Sequence, residues 1–417
     1  MAGMRILFIH QNFPGQFKHL APALAARGHE VVALGINQPS VALPGVKVVL
    51  HKPQFTAAAP GRDADTASLH ELRSKMERGA SVARALQAMQ REGFTPDLIY
   101  AHPGWGEAFY VKDVFPDARL IVYAEYFYGA DGGDSSFDPE FSRPAEGDNR
   151  RLHTKNLHLM HALTHADKGV SPTEFQRDRH PLPLRQRIDV IHDGIDTQRF
   201  APAAQTFVSL RNAGLRLTAQ DEVVTFAVRE LEPYRGYHIF MRALPELLAR
   251  RPKAHVIIVG GSGASYGAAA PAGTTWRNIF HAEVAGRIDP QRVHFVGKLP
   301  HANLTQLMQV STVHAYLTYP FVLSWSLMEA MSTGCMIVAS DTAPVREHVR
   351  HGETGLLVDF FDHEALADTI VRAIEQRNEL TPLRAAARAH VVNNLDLATN
   401  CLPAQINLLS SVLGAPL

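Results

Sequence analysis

Short apolar runs alternate with stretches of helical period along the first half of the chain. Arg5-Ile6-Leu7-Phe8-Ile9-His10 is an apolar run that ends in a polar loop from Gln11 to Phe17. Leu20, Leu24 and the nearby alanines then predict a helix that stops at Gly28, and Glu30 to Leu34 predicts the next strand. Strand, loop, helix and strand within about 30 residues make a βαβ unit, and strands apolar throughout indicate a parallel sheet covered on both faces. Val46 to Leu50, Asp97 to His102 and Arg119 to Tyr123 add strands, while Leu69, Leu72, Met76, Val82, Leu86 and Met89 predict a helix over 66–91. The segment 127–150, rich in Gly, Asp and Ser, has no period and reads as a long loop of functional kind. A helical stretch to Ala166 and a short strand from Asp189 to His192 close this half.

Residues 201–221 are polar and alanine-rich and read as a linker, after which the alternation restarts. Strands are predicted at Val223 to Val228, His255 to Val259, Val293 to Val296, Val313 to Leu317 and Met336 to Ser340, with a helix from Tyr237 to Arg250 and others between them. Residues 264–275 are low in complexity and read as a flexible loop. Two successive blocks of this kind predict an α/β protein with two doubly wound Rossmann-like domains facing a cleft. The boundaries expected are 1–200 and 201–395, with a last helical stretch at 396–417 that crosses back to the first domain.

Lys plus Arg and Asp plus Glu each number 41 in 417 residues, so the formal net charge is zero. That balance argues against a nucleic-acid partner, whose footprint is a basic excess. The two cysteines, Cys335 and Cys401, give no disulfide framework, and the opening MRILFIH reads as a strand rather than a signal peptide. A cytoplasmic protein is the expectation. The helix over 66–94 mixes Arg73, Lys75, Arg78, Arg84 and Arg91 with Glu71, Glu77 and Glu92, the pattern of a solvated face. Weak peripheral membrane contact and a homodimer stay open.

In open α/β sheets ligands sit at the carboxyl ends of the strands. Arg229 and Arg235 lie there, just before a predicted helix start. Two fixed cations, free backbone N–H groups and a helix dipole could hold a diphosphate; a solvated Arg/Glu loop is the alternative. Glu329 follows another strand end and could accept from a ribose diol, or simply favour a helix N-terminus. His158, His161 and His165 share a helix face at metal-ligand spacing, but with no Cys or acid near them a polar face is the better reading. Asp63-Ala64-Asp65 is set aside as chance, and Gly260-Gly261-Ser262-Gly263 lacks the acidic residue of a dinucleotide site.

The second half resembles the family 4 retaining glycosyltransferases, which have the GT-B fold. The resemblance rests on Glu329-Ala330-Met331-Ser332-Thr333-Gly334, Ile337-Val338-Ala339-Ser340, Glu347 and Gly352-Glu353-Thr354-Gly355-Leu356-Leu357-Val358. Ile191-His192-Asp193-Gly194-Ile195-Asp196 is similar to the family's segment before the interdomain linker. His10-Gln11-Asn12-Phe13-Pro14-Gly15-Gln16-Phe17 and Phe137-Asp138-Pro139-Glu140-Phe141 resemble a bacterial subgroup.

The resemblance implies a metal-independent enzyme of hexosyltransferase type. It would move a sugar from a UDP- or GDP-sugar to a glycan, lipid-linked glycan or protein, with polysaccharide biosynthesis as the setting. Arg229 and Arg235 would stabilise the leaving diphosphate. Glu329 would bind the ribose, backbone amides of Val322, Leu323, Ser324, Trp325 and Ser326 the phosphate and sugar, and the segment with Val296, Lys298 and Leu299 would lie by the nucleobase. Gly15 and Gln16 would close over the donor. The family pattern has two glutamates eight positions apart, and the earlier place holds Phe321 here, which implies a differently shaped sugar pocket. His102 would stand near the acceptor, with loop packing as its alternative, and Glu125 would take the acceptor proton. Asp131, Asp134, Asp138 and Glu140 would line the acceptor entrance or form a solvated acidic loop. A sugar-nucleotide epimerase or hydrolase on the same fold, or a non-catalytic sugar-nucleotide-binding partner protein, are the rival readings.

Overall fold

The computed structural model describes residues 3–55, 64–141, 149–210 and 213–417. The chain divides into two compact units, one of 1–136, 142–193 and 398–417, the other of 137–141 and 194–397. The first holds strands β1 (Arg5–Ile9), β2 (Glu30–Gly35), β3 (Val46–Leu50), β4 (Leu98–Ala101), β5 (Arg119–Tyr123), β6 (Lys168–Ser171) and β7 (Ile188–Val190). They form one sheet in the order β3-β2-β1-β4-β5-β6-β7, with every pairing parallel. β1 carries Ile6 to Ile9 fully buried, because helices cover both faces of a doubly wound sheet. The order reverses between β1 and β4, which is where such sheets open a crevice at their carboxyl ends. The Leu402–Leu413 helix packs its Ile406 and Leu409 into this unit's core beside Leu20 and Leu24.

The second unit repeats the plan with β10 (Val223–Glu230), β11 (His255–Gly261), β12 (Val293–Gly297), β13 (Val313–Tyr316), β14 (Met336–Ser340) and β15 (Leu356–Val358). The order is β12-β11-β10-β13-β14-β15, again all parallel, so the switch point falls between β10 and β13. The Tyr237–Arg250 helix buries Phe240 in a stack on Phe226, ring centroids 4.5 Å apart, each ring contributing on the order of 2–3 kcal/mol of transfer free energy.

The structure departs from the sequence reading in several places. The expected linker at 201–221 holds an antiparallel hairpin, β8 (Phe207–Leu210) with β9 (Leu215–Thr218). Its two-residue alternation was masked by the flanking alanines, and Leu217 seats it in the core of the second unit. β6 and β15, three or four residues each, were too short to register as periodic. Residues 137–141 of the long acidic loop group with the second unit rather than the first.

Gly236 starts the Tyr237–Arg250 helix at φ +68°, and a Cβ there would lie 2.3 Å from the Leu317 Cβ. Gly236→Ala therefore meets both left-handed strain of about 1–2 kcal/mol and a clash between two fixed groups. It should lower the melting temperature by more than about 4 °C, whereas Gly273→Ala, at φ +84° with open space around it, should lose only the strain. Parallel thermal melts check the difference.

Candidate functional site

In the first unit the loop after β1 turns at Gly15, whose φ is +48°; a Cβ there would sit 2.3 Å from the His10 ring. The Asn12 amide donates to His10 Nδ1 at 3.0 Å, which leaves the Nε2 hydrogen of the neutral ring to donate to Gln16 Oε1 at 3.0 Å. Gln16 Nε2 in turn donates to Glu125 Oε1 at 3.1 Å. Across the switch point, at the end of β4, the Gly104 amide donates to His102 Nδ1, and His102 Nε2 lies 3.5 Å from Glu125 Oε2. The His102 ring is stacked on Trp105 and on Tyr123. Four residues singled out in the sequence, Gly15, Gln16, His102 and Glu125, are thus brought together. Glu125 is partly exposed while His102 is buried, so the carboxylate is the reachable end of the group.

The sequence reading missed His10, which aligns Gln16. Burial, reinforced by the nearby His102, pushes its imidazole down to about 3 and keeps it neutral. It also missed Glu107, fully buried behind the His102 loop with neither oxygen accepting from another residue among those described. Burial pushes that carboxyl up to about 7. An acidic residue five positions after His102 was the only available signal.

In the second unit Arg229 is exposed at the end of β10 and makes no hydrogen bond or ion pair among the described residues. Arg235 is 5% exposed in the turn Pro233–Arg235. Its Nη1 donates to Thr318 Oγ1 at 2.7 Å and to the Val322 carbonyl at 3.0 Å, tying the loop after β10 to the loop after β13 across the switch point. No carboxylate pairs with this buried cation among the described residues. The neighbouring acids are engaged elsewhere. Glu230 accepts from Lys298 and from the Gly263 amide at 2.8 Å; burial works against its ionised form, but these bonds outweigh it and hold its carboxyl below the usual range. Glu232, fully buried, accepts from the amides of Ser265, Tyr266 and Gly267 and from the Ser265 hydroxyl at 2.6 Å. The loop at 264–275 is therefore anchored at its start, contrary to the flexible loop expected.

Phe321 is buried with its ring 5.1 Å from both Tyr234 and Tyr266. The Ser324 amide donates to the Tyr316 hydroxyl, and the Ser324 side chain caps the Trp325–Thr333 helix by accepting from the Ser326 amide. Leu323 and Trp325 pack on the core, and Glu329 is buried within that helix rather than in its first turn. Lys298 reaches Glu230, and Val296 and Leu299 line a cavity of about 990 Å³ together with residues 207–210 of the hairpin.

Asp138 accepts from Tyr319 at 2.6 Å and lies 3.1 Å from His238, and Glu140 takes a two-pronged pair from Arg242. Asp138 is buried and spent within the second unit, whereas Glu140 stays exposed in its pair with Arg242. Asp134 accepts from Tyr126, and the Asp131 carbonyl from Arg179. His158 and His161 bond the Gly104 and Phe109 carbonyls, and no cluster that could hold a metal occurs among the described residues. Asp63 lies outside the described residues, and none of the described helices is long and apolar enough to cross a membrane.

Comparison with known proteins gives the same division. Residues 27–200 match the model of the glycosyl transferase family 4 group and residues 216–390 that of the glycosyl transferases group 1. The D-inositol 3-phosphate glycosyltransferase of Rhodococcus jostii is 28% identical over 255 residues, 60% of this chain and 54% of that protein. Its counterpart in Corynebacterium glutamicum is 26% identical over 300 residues, 70% and 66% respectively. The chain thus spans about half the length of the first curated relatives it matches. Among solved structures, Anabaena Alr3699/HepE in complex with UDP and glucose aligns with a TM-score of 0.68 at 20% identity over 98% of this chain and 100% of that one. Sucrose-phosphate synthase from Thermosynechococcus elongatus aligns at 0.73 and 20% over 99% of each. These likenesses establish the GT-B fold.

The neutral His10 gives a pH test. The unfolded chain binds a proton near 6.5 that the folded chain refuses until about 3, so this group's contribution is complete above about 6.5 and is lost as pH falls towards 3. The melting temperature should drop between pH 7.5 and 5, and His10→Gln should flatten that slope by the equivalent of about 1–2 kcal/mol at pH 5. Melts across that range decide it; an unchanged slope rejects the assignment.

Proposed function

We propose that this chain, a glycosyltransferase by the family models its two halves match, transfers a sugar from a UDP- or GDP-sugar to a glycan, lipid-linked glycan or protein acceptor. Transfer retains the anomeric configuration and needs no metal. The observation that carries the donor side is Arg235, a buried guanidinium fixed across the second unit's switch point with no acid to neutralise it among the described residues. Burying an unpaired charge is costly, so such a group stands ready for an anion. The solved relative named as a complex with UDP and glucose supports a nucleotide-sugar donor.

In this reading the bond from the anomeric carbon to the diphosphate breaks, and the acceptor oxygen bonds to that carbon. Negative charge grows on the diphosphate, where Arg235 and the exposed Arg229 stabilise it. Glu125 takes the acceptor's proton, with Gln16 and His102 holding the carboxylate in place. Glu329 binds the ribose, and amides of residues 322–326 the phosphate and sugar. The protein works in the cytoplasm on cell-surface polysaccharide precursors.

A thermal-shift panel of nucleotide sugars tests the donor, since a ligand that binds only the folded state raises its melting temperature. With the best donor, Arg229→Ala and Arg235→Ala should each lower transfer by about 10²–10³-fold while circular dichroism stays unchanged. Glu125→Gln should lower transfer without weakening donor binding. Unchanged transfer in the arginine variants rejects the reading. Free sugar released without an acceptor favours a hydrolase, and binding without turnover a partner protein.

A further inference from the structure

The buried cation at Arg235 has an aromatic neighbour where a charged one would be usual. Its Cζ lies 5.0 Å from the centroid of the Tyr266 ring. That ring is held on three sides. Phe321 meets it at 5.1 Å and 62°, Tyr234 at 6.1 Å and 32°, and the backbone of residues 265–267 is fixed by the amide bonds to buried Glu232. Yet Tyr266 is itself 41% exposed, a large aromatic left at the surface over the buried Phe321 and Arg235.

The difference between a ring and a carboxylate decides what Arg235 can do. A carboxylate would accept the guanidinium's hydrogen bonds and cancel its charge. An aromatic face attracts the cation from above its plane and accepts none of its in-plane N–H groups. Of the five N–H donors, two go to Thr318 and the Val322 carbonyl, so three remain for an anion.

We propose that Tyr266, floored by Phe321 and Tyr234, is a positioning residue for the donor's diphosphate, holding the Arg235 guanidinium in plane with its charge uncancelled. This rests on the donor reading given above. The aromatic at position 321 belongs to this floor, its ring centroid 5.1 Å from that of Tyr266.

Calorimetry with UDP and with GDP on the full chain tests it. Tyr266→Leu should weaken the better-bound nucleotide by about fivefold to tenfold, and Tyr266→Phe and Tyr266→Trp should restore it to within about twofold. In an Arg235→Gln background the same Tyr266→Leu change should have no further effect, which a merely structural role would not produce. If the leucine variant does not fold, Tyr266→Gln takes its place. Unaltered affinity in the leucine variant, or an equal loss in both backgrounds, overturns this inference and leaves the donor reading standing. A wild-type chain that binds neither nucleotide overturns both.

Discussion

One buried guanidinium sets the terms for the second unit. Arg235 ties the loop after β10 to the loop after β13 through Thr318 and the Val322 carbonyl. Parallel strands on either side of a topological switch splay their connections apart, so that point of a doubly wound sheet needs a tie. A salt bridge would close it more tightly but would leave no charge to offer. The acids on the same loop, Glu230 and Glu232, turn instead to Lys298 and to backbone amides of residues 263–267. They fasten the loop that carries Tyr266 and leave the arginine uncompensated.

The first unit meets the same topological situation with a hydrogen-bonded chain that ends on a carboxylate. At its switch point the polar chain runs from Asn12 through His10 and Gln16 to Glu125. Each hydrogen bond has one possible direction once Nδ1 of His10 accepts from the Asn12 amide. The neutral imidazole is therefore a fixed donor, and its direction passes through Gln16 to a carboxylate. Low dielectric strengthens such a chain and makes it intolerant of a missing member. Two sheets of one plan thus present opposite electrostatics at corresponding places, a carboxylate in one and a guanidinium in the other.

Much of this was legible in the sequence. Largely apolar strands at 5–9, 30–34 and 223–228 announced parallel sheets, their carboxyl ends pointed to His102, Glu125, Arg229 and Arg235, and the family resemblance added Gln16. What was not legible follows from range. The hairpin at 207–218 is stable because Leu217 docks on a core assembled from distant segments, and local composition spoke for a linker. Asp138 looked like a solvent-facing acid because its partners, His238 and Tyr319, lie a hundred or more positions away. His10 read as a strand end, and only the turn at Gly15 brings Gln16 back against it.

The departure at Phe321 shows why residue identity and site geometry have to be read together. By sequence alone an apolar residue in place of an acid suggests a lost contact. In the fold, position 321 adjoins Tyr234 and Tyr266 and lies beside the loop that receives Arg235. A glutamate in those surroundings would be desolvated, a cost that a phenyl ring does not carry. What position 321 offers instead is apolar support for Tyr266, whose ring lies 5.0 Å from the Arg235 guanidinium, so the same departure that removes a polar group builds the wall beside the buried charge.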